Sequence, residues 1–571
     1  MLKKVDRPRE LKWYQAAALL YGDWGTSKAY VLGIAFVLAG HASWFFLGLM
    51  SLLTAMIGIC YAVICRVSPD GGGVYSSVRP RSKSLAVLGA LLLIADYVIT
   101  ASLSALDAFH YFNFAHPELW AIGTIMLIGL INWVGPTRSG DIAAGIGLLA
   151  SAAVCALFLF TVPSLPHVTI LMPSGDWFGN WAIFVGIVLA LSGVEAVANM
   201  TGVMVEPVAK TSKKAIWPVL LEVSIVTFLL GLAMNSIPGL QGHAEDMLRV
   251  LGDYYIGSWF GTVISIVFGF LLLSAVNTAI TSFVSIQFLM AKDGELPESF
   301  AKLNRFGMPW LALIVAATAP CIVLLFEHDL VKLAALYAIG VIGAITLNLG
   351  SSATNFGLQL KRRERVLLFA GSIILFFIEL TIAYQKRHAL IFASSVVVTG
   401  LVLRFAAKKF APVRVELAVP SVEVLTVSEA KEIAALYRSS SMVAIRNLNE
   451  HLLDEAALRV KAMGESSIYI DYVEEAPVST ELTEIEPSKE SLDLLHQAMQ
   501  FMEKKGINAI PIWQIGDSAG RLISSAAKEL GVDTVLIGAT RRSGLIRILR
   551  GDVFRMLTRH LPHECHLAII G

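Results

Sequence analysis

Apolar stretches of about twenty residues, the length that crosses a bilayer core as a helix, recur along this chain from Ala16 to Phe410. In lipid the backbone must satisfy its own polar groups, so such stretches fold as helices. Twelve spans are expected, near 15–40, 43–65, 84–112, 117–135, 140–163, 179–204, 215–238, 255–290, 309–326, 329–351, 366–384 and 388–408. Charge points the same way. Only 16% of the 571 residues are charged, against about 25% in soluble domains. The deficit is confined to one part of the chain: beyond residue 410 the composition is ordinary. The expectation is an all-α polytopic membrane domain over 1–410 and a soluble domain over 411–571.

Orientation follows from the basic residues that flank the spans. One side collects Lys3, Lys4, Arg7 and Arg9, then Arg79, Arg81 and Lys83, then Lys210, Lys213 and Lys214, and later Lys361, Arg362, Arg363 and Arg365. The other side has Arg249, Lys332, Lys386 and Arg387. Both termini are therefore expected in the cytoplasm, with the cell membrane as the location. The charged N-terminus lacks a small-residue cleavage site, so no removable signal peptide is expected.

Three of the apolar stretches carry carboxylates at their centres. A charged residue at the middle of a membrane helix costs roughly 2.5–3.5 kcal/mol on insertion scales, which makes each a candidate site by default. The first, Tyr21-Gly-Asp-Trp-Gly-Thr-Ser-Lys-Ala-Tyr30, combines Asp23 with two glycines and two hydroxyls. It reads as a broken helix with unwound backbone at Gly22-Asp23, facing a protein-lined cavity. The sixth stretch is interrupted in the same way around Ser192, Gly193 and Glu195. Interruptions five spans apart are the signature of two inverted five-helix repeats, a LeuT-like 5+5 architecture, which leaves the last two spans peripheral. In the third stretch Asp96, Thr100 and Ser104 share one helical face, with Tyr97 beside them.

Other polar positions are weaker signals. Asn277, Thr278, Thr281 and Ser282, and Tyr337 and Asn348, suit either a pathway or helix packing. Glu222 and Glu379 read as isolated carboxylates near the membrane surfaces. The glycine-rich segment at 68–76 reads as a cytoplasmic turn and gate, and lacks the phosphate-loop pattern. Five scattered cysteines form no CxxC pair, and no dense basic cluster suggests nucleic acid. No nucleophile–base pair or metal cluster supports an enzyme, and no cofactor is expected.

Beyond residue 410, β-branched runs at 413–419, 442–445, 467–472, 507–513, 534–537 and 566–570 alternate with amphipathic stretches near 428–438, 448–463, 488–505, 518–530 and 543–560. That alternation predicts an α/β domain with a parallel sheet. Its last unit, Gly538 followed by Arg541, Arg542 and Ser543, reads as a plain βα turn or a phosphate-binding one.

Residues 21–30 resemble the first-span signature of the Kup/HAK/KT potassium-uptake permeases, Gly-Asp-x-Gly-Thr-Ser followed by a tyrosine. The tryptophan form and the soluble C-terminal domain are most similar to the KimA-like branch of that family, in the amino acid–polyamine–cation superfamily. Gly71-Gly-Gly-Val-Tyr75 resembles that superfamily's Gly-Gly-x-Tyr loop. The resemblance implies a potassium site near Asp23, Tyr30, Asp96 and Thr100, with Tyr97, Ser104, Ser192, Glu195 and Tyr337 as neighbours. The C-terminal domain is similar to universal stress proteins, which bind ATP through Gly-x-x-Gly-x9-Gly-Ser/Thr. Here Arg541 and Asp552 replace the second glycine and the final hydroxyl. The resemblance implies a homodimer regulated by a cyclic dinucleotide or adenine nucleotide.

Chemistry favours a cation independently. Asp23, Asp96 and Glu195 repel a substrate carboxylate, whereas carboxylates, hydroxyls and free carbonyls suit a dehydrated monovalent ion. Asp23, Asp96 and Thr100 are the expected ion ligands. Closely spaced carboxylates are not all ionised at once, which makes Glu195 the candidate proton carrier of a proton–potassium symporter. A polyamine or cationic amino acid permease is the first alternative, and a transporter-derived sensor the second.

Overall fold

The computed structural model of the chain describes residues 5–6, 9, 11–134, 139–168, 170–237, 239–240, 242–304, 306–410, 424–434, 439–475, 484–485, 487, 489–516, 518–539 and 553–570. The apolar stretches are helical. The first half holds α1 (Trp13–Trp24), α2 (Ser27–Ala39), α3 (Ser43–Val67), α4 (Val74–Val78), α5 (Lys83–Tyr111), α6 (Pro117–Trp133), α7 (Ser139–Thr161), α8 (Trp177–Gly186) and α9 (Ala196–Asn199). The second holds α10 (Val208–Leu221), α11 (Thr227–Ala233), α12 (Met247–Tyr255), α13 (Ser258–Lys292), α14 (Trp310–Phe326), α15 (Leu330–Thr354), α16 (Arg362–Gln385) and α17 (Arg387–Lys409).

Among the described residues, eight helical stretches are long and apolar enough to cross a membrane, and nine if the bent pair at 177–203 is one span. One of the eight runs from Trp13 to Val67 and holds two of the expected stretches, divided at Gly40 with φ +53°. Two shorter apolar helices, α6 and α14, add to these. The centre of the bundle is α5, packed along α13 and α15, with nearly every residue from Ile94 to Phe109 buried. By contrast α16 and α17 lie at the rim and expose Phe376, Phe377, Ile391, Val402 and Phe405. In lipid those side chains need no partner.

The first interruption departs from the expected unwinding at Gly22-Asp23. Both residues are helical, and α1 stops only for Gly25 and Thr26, each in right-handed helical geometry. The reason is local. Thr26 Oγ1 donates to Asp23 O at 2.5 Å and Ser27 Oγ to Trp24 O at 2.8 Å, so the two hydroxyls take the carbonyls that the break frees. The sixth stretch is broken more deeply. After α8 the chain tightens into a 3₁₀ turn at Val188–Leu191, passes through Ser192–Glu195, and restarts as α9, with a bend of 43°. The expected span at 255–290 is α13, preceded by the separate amphipathic helix α12.

The C-terminal domain is a five-stranded parallel sheet ordered Asn508–Gly516, Ser467–Glu475, Ser441–Ile445, Thr534–Gly538 and His566–Ile570. Helices Glu450–Ala462, Lys489–Lys504 and Ala519–Leu530 bury apolar faces on its two sides. The run at 413–419 and positions 541–552 lie outside the described residues. A short antiparallel ladder joins Val5–Asp6 to Glu484–Ile485.

Candidate functional site

The two interruptions meet. Gly193 has φ +83°, and a Cβ there would lie 2.7 Å from Trp24 N and 2.9 Å from Asp23 Cγ. Only glycine allows both that backbone conformation and that approach. Asp23, in the last turn of α1, thus faces the turn Ser192–Glu195 and is partly accessible. Tyr30 lies in α2 within reach of Ser192 and Thr26.

The third side of the site is α5. A Cβ at Gly340 of α15 would come within 2.7 Å of Asp96 N, so the two helices touch there. One turn earlier on α15, Tyr337 is an electrostatic neighbour of Asp96, Tyr30, Glu195 and Asp23, and its buried hydroxyl lies within reach of the Asp96 carboxylate. Thr100 Oγ1 donates to Asp96 Oδ1 at 3.4 Å, and Asn199 Nδ2 to the Tyr97 hydroxyl at 3.2 Å. Ser104 is buried one turn beyond Thr100. Glu195, directly before α9, is buried with Oε2 unpartnered, in the field of both Asp96 and Asp23. The structure therefore brings Asp23, Tyr30, Asp96, Tyr97, Thr100, Ser192, Glu195 and Tyr337 around one locus. Among the described residues no group of three or more His, Cys, Asp or Glu is placed to hold a metal ion. What the locus offers is a mixture of carboxylate, hydroxyl and carbonyl oxygens.

Other expectations resolve differently. Asn277 accepts from Asn132 Nδ2 at 2.8 Å, and Thr278 and Thr281 donate to carbonyls of their own helix, so these residues serve packing. Asn348 Nδ2 donates to Gly72 O, and Gly72 N donates to Ala198 O and to Thr201 Oγ1, which ties the glycine-rich segment to the far end of α9. Glu222 is not isolated. It accepts from Lys28 Nζ at 2.7 Å through both carboxylate oxygens and from the Tyr21 hydroxyl at 3.2 Å. Lys28 is fully buried. A lysine and a glutamate in two apolar stretches are a signal for such pairing, and it was available in the sequence.

Closures stand at both ends of the locus. At one, Arg9 donates to Pro69 O and Thr201 O and pairs with Asp70 at 2.5 Å, while Leu11 joins Val203 and Val205 by backbone hydrogen bonds. On that side Tyr75 and Arg79 both hold Asp293. At the other end Tyr111 donates to Ala29 O at 2.9 Å, and the 243–246 connection presses Ala244 O against Gly33.

The amino acid permease family profile matches residues 11–404, more than two thirds of the chain and nearly all of the membrane helices α1–α17. The chain belongs to the amino acid permease family. The universal stress protein family matches residues 442–568, and the parallel sheet fits that assignment. The potassium transporter KimA of Bacillus subtilis is 26% identical over 376 residues, 60% of this chain and 60% of that protein. The polyamine transporter RMV1 of Arabidopsis thaliana is 24% identical over 37% of this chain and 44% of its own. A probable potassium transport system protein Kup of Xanthomonas oryzae pv. oryzae is 29% identical over 32% and 34%. This permease thus has relatives that transport different cations, and it is an integral membrane protein.

In the permease's C-terminal domain the sheet order places a switch point between Ser441–Ile445 and Thr534–Gly538, whose connections leave in opposite directions. Ligands of open α/β sheets bind in that crevice, and Gly538 lies at its edge. Buried Asp471, on the next strand, accepts from Gln514 at 2.8 Å. Burial pushes its carboxyl up to about 7.

Proposed function

We propose that this permease is a secondary active potassium importer, a proton-coupled symporter working by alternating access. It has twelve spans in a 5+5 inverted repeat and sits in the cell membrane with both termini in the cytoplasm. The observation that carries the reading is the contact of the interruption at Gly193 with Asp23 and Trp24, the last turn of α1 before its break, beside Asp96. The close approach of the two backbones and the burial of nearly all the side chains support a small ion as the cargo. Asp23, Asp96 and Thr100 supply ion oxygens, and Tyr30, Tyr97, Ser192 and Tyr337 complete and close the shell, with Ser104 two turns along α5 from Asp96 on the way out of it. Three carboxylates within each other's field in dry surroundings favour one of them keeping a proton. Glu195, with an unpartnered oxygen and no ion pair among the described residues, is the carrier. The closure at Arg9 and the one at Tyr111 then open in turn. The C-terminal domain regulates transport as a dimer, through a cyclic dinucleotide or adenine nucleotide.

The test is rubidium uptake in a bacterium lacking its own potassium importers. Uptake should collapse with a protonophore and be lost in Asp23→Asn, and Glu195→Gln should remove its pH dependence. Wild-type uptake by Asp23→Asn defeats the site. The polyamine relative favours one other reading, a polyamine or cationic amino acid permease. Inhibition of rubidium uptake by spermidine but not by excess potassium would select it.

A further inference from the structure

Outside the locus just described, α5 carries one more carboxylate. Asp96, Thr100, Ser104, Asp107 and Tyr111 follow at spacings of four, four, three and four, which makes one continuous stripe along a helix face. All five are buried. At 1.5 Å per residue, Asp107 lies about 16 Å along the axis from Asp96, toward the end closed by Tyr111 and the 243–246 connection.

Asp107 is fully buried, and neither of its carboxylate oxygens has a hydrogen-bond partner. An uncompensated carboxylate away from water is costly and is retained where something else compensates it. The protein's own charges near it do the opposite. Glu245 and Asp246, on the covering connection, are the charges acting on it, and both are acidic. The neighbouring histidines turn Nδ1 to those acids, His110 at 2.8 Å from Glu245 and His243 at 2.9 Å from Asp246, and His110 Nε2, one turn from Asp107, is buried without a partner. Tyr30, which borders the central locus, lies in the field of both Asp23 and Asp107 and stands between them.

We infer that Asp107, with Ser104 one turn further in, is a second station for a monovalent cation, placed between the 243–246 connection and the Tyr30 side of the central site. The orphaned carboxylate supplies the charge, and the stripe of hydroxyls leads inward from it. Closing the connection over the station traps the ion on the protein side before it reaches Asp23 and Asp96. This rests on the potassium reading, and it adds a site to it.

Rubidium binding to the purified full-length chain tests it, by equilibrium dialysis alongside uptake. The wild type should bind two ions per chain, and Asp107→Asn and Asp23→Asn one each. In uptake, Asp107→Asn should raise the half-saturating rubidium concentration about tenfold while leaving the maximal rate within about twofold, the pattern of lost binding rather than lost turnover. Ser104→Ala should raise it in the same direction, which keeps the proposal testable if Asp107→Asn fails to fold. Two ions still bound by Asp107→Asn, or unchanged half-saturation in a folded Asp107→Asn or Ser104→Ala, overturns the station and leaves the central site standing. No rubidium bound by the wild type overturns both.

Discussion

The pair Lys28–Glu222 ties the start of α2 to a π-helical turn, Glu222–Val226, between α10 and α11, and breaking it should separate structural from transport roles. At 2.7 Å the gross attraction is about 6 kcal/mol with an effective dielectric near 20, and desolvation of a fully buried ammonium offsets much of it. Removing one partner is the expensive change, because it leaves the other charge buried with only the Tyr21 hydroxyl beside it. Such losses run about 3–5 kcal/mol, whereas replacing both partners with apolar groups is often neutral. Lys28→Met and Glu222→Gln should therefore each lose about 3–5 kcal/mol in detergent-driven unfolding of the purified chain, and Lys28→Met with Glu222→Leu should regain most of it. If Lys28→Met is as stable as the wild type, or the double variant loses the sum of the two singles, the pair is not the buried tie the geometry describes.

Two further expectations are more local. Gly193→Ala places a methyl 2.7 Å from Trp24 N at a φ of +83°, a conformation that costs an L-residue roughly 1–2 kcal/mol before any clash. Rubidium uptake should fall more than about tenfold, measured at matched expression, and wild-type uptake would mean the breaks do not meet. In the C-terminal domain, Asp471 binds its proton more tightly folded (about 7) than at its ordinary 3.8, so the domain loses stability as pH rises from about 4 to 7 and is level above. At 1.36 kcal/mol per tenfold the penalty at pH 8 is on the order of 4 kcal/mol. Asp471→Asn should abolish that slope in thermal melts between pH 5 and pH 8, and an unchanged slope would show that Asp471 does not carry it.

Much of this was legible in the sequence, because lipid makes every intramembrane charge conspicuous. Asp23, Asp96 and Glu195 stand out against apolar neighbours, and in the structure they lie in one another's field. Alternation of β-branched and amphipathic runs likewise located all five strands of the sheet. What escaped was partnership. Glu222 looks isolated along the chain because its lysine is 194 residues away. The helix break was misplaced by three residues because Gly22 is an obvious weak point. The hydroxyls of Thr26 and Ser27, which stabilise a break at Gly25-Thr26, reveal that role only through carbonyls three residues back. Asp107 was passed over for the opposite reason: near the end of a span it resembles an interfacial carboxylate, and only the packing around α5 reveals it as a buried one.

Charge balance is what joins these features. Lys28 stands inside the signature that carries Asp23, and a free ammonium there would repel a cation from the site. Its engagement by both oxygens of Glu222 cancels that field at short range, so the pair is close to neutral as seen from Asp23. The residual carboxylates of the helical bundle are then Asp23, Asp96, Glu195 and Asp107, with Glu379 on α16 against Gly343, and among the described residues none of these is ion-paired. An interior of that sign favours cations or protons from outside, and on the proposed symport reading the two act together: an ion on the Asp23–Asp96 side and a proton on Glu195 neutralise different members of one carboxylate cluster.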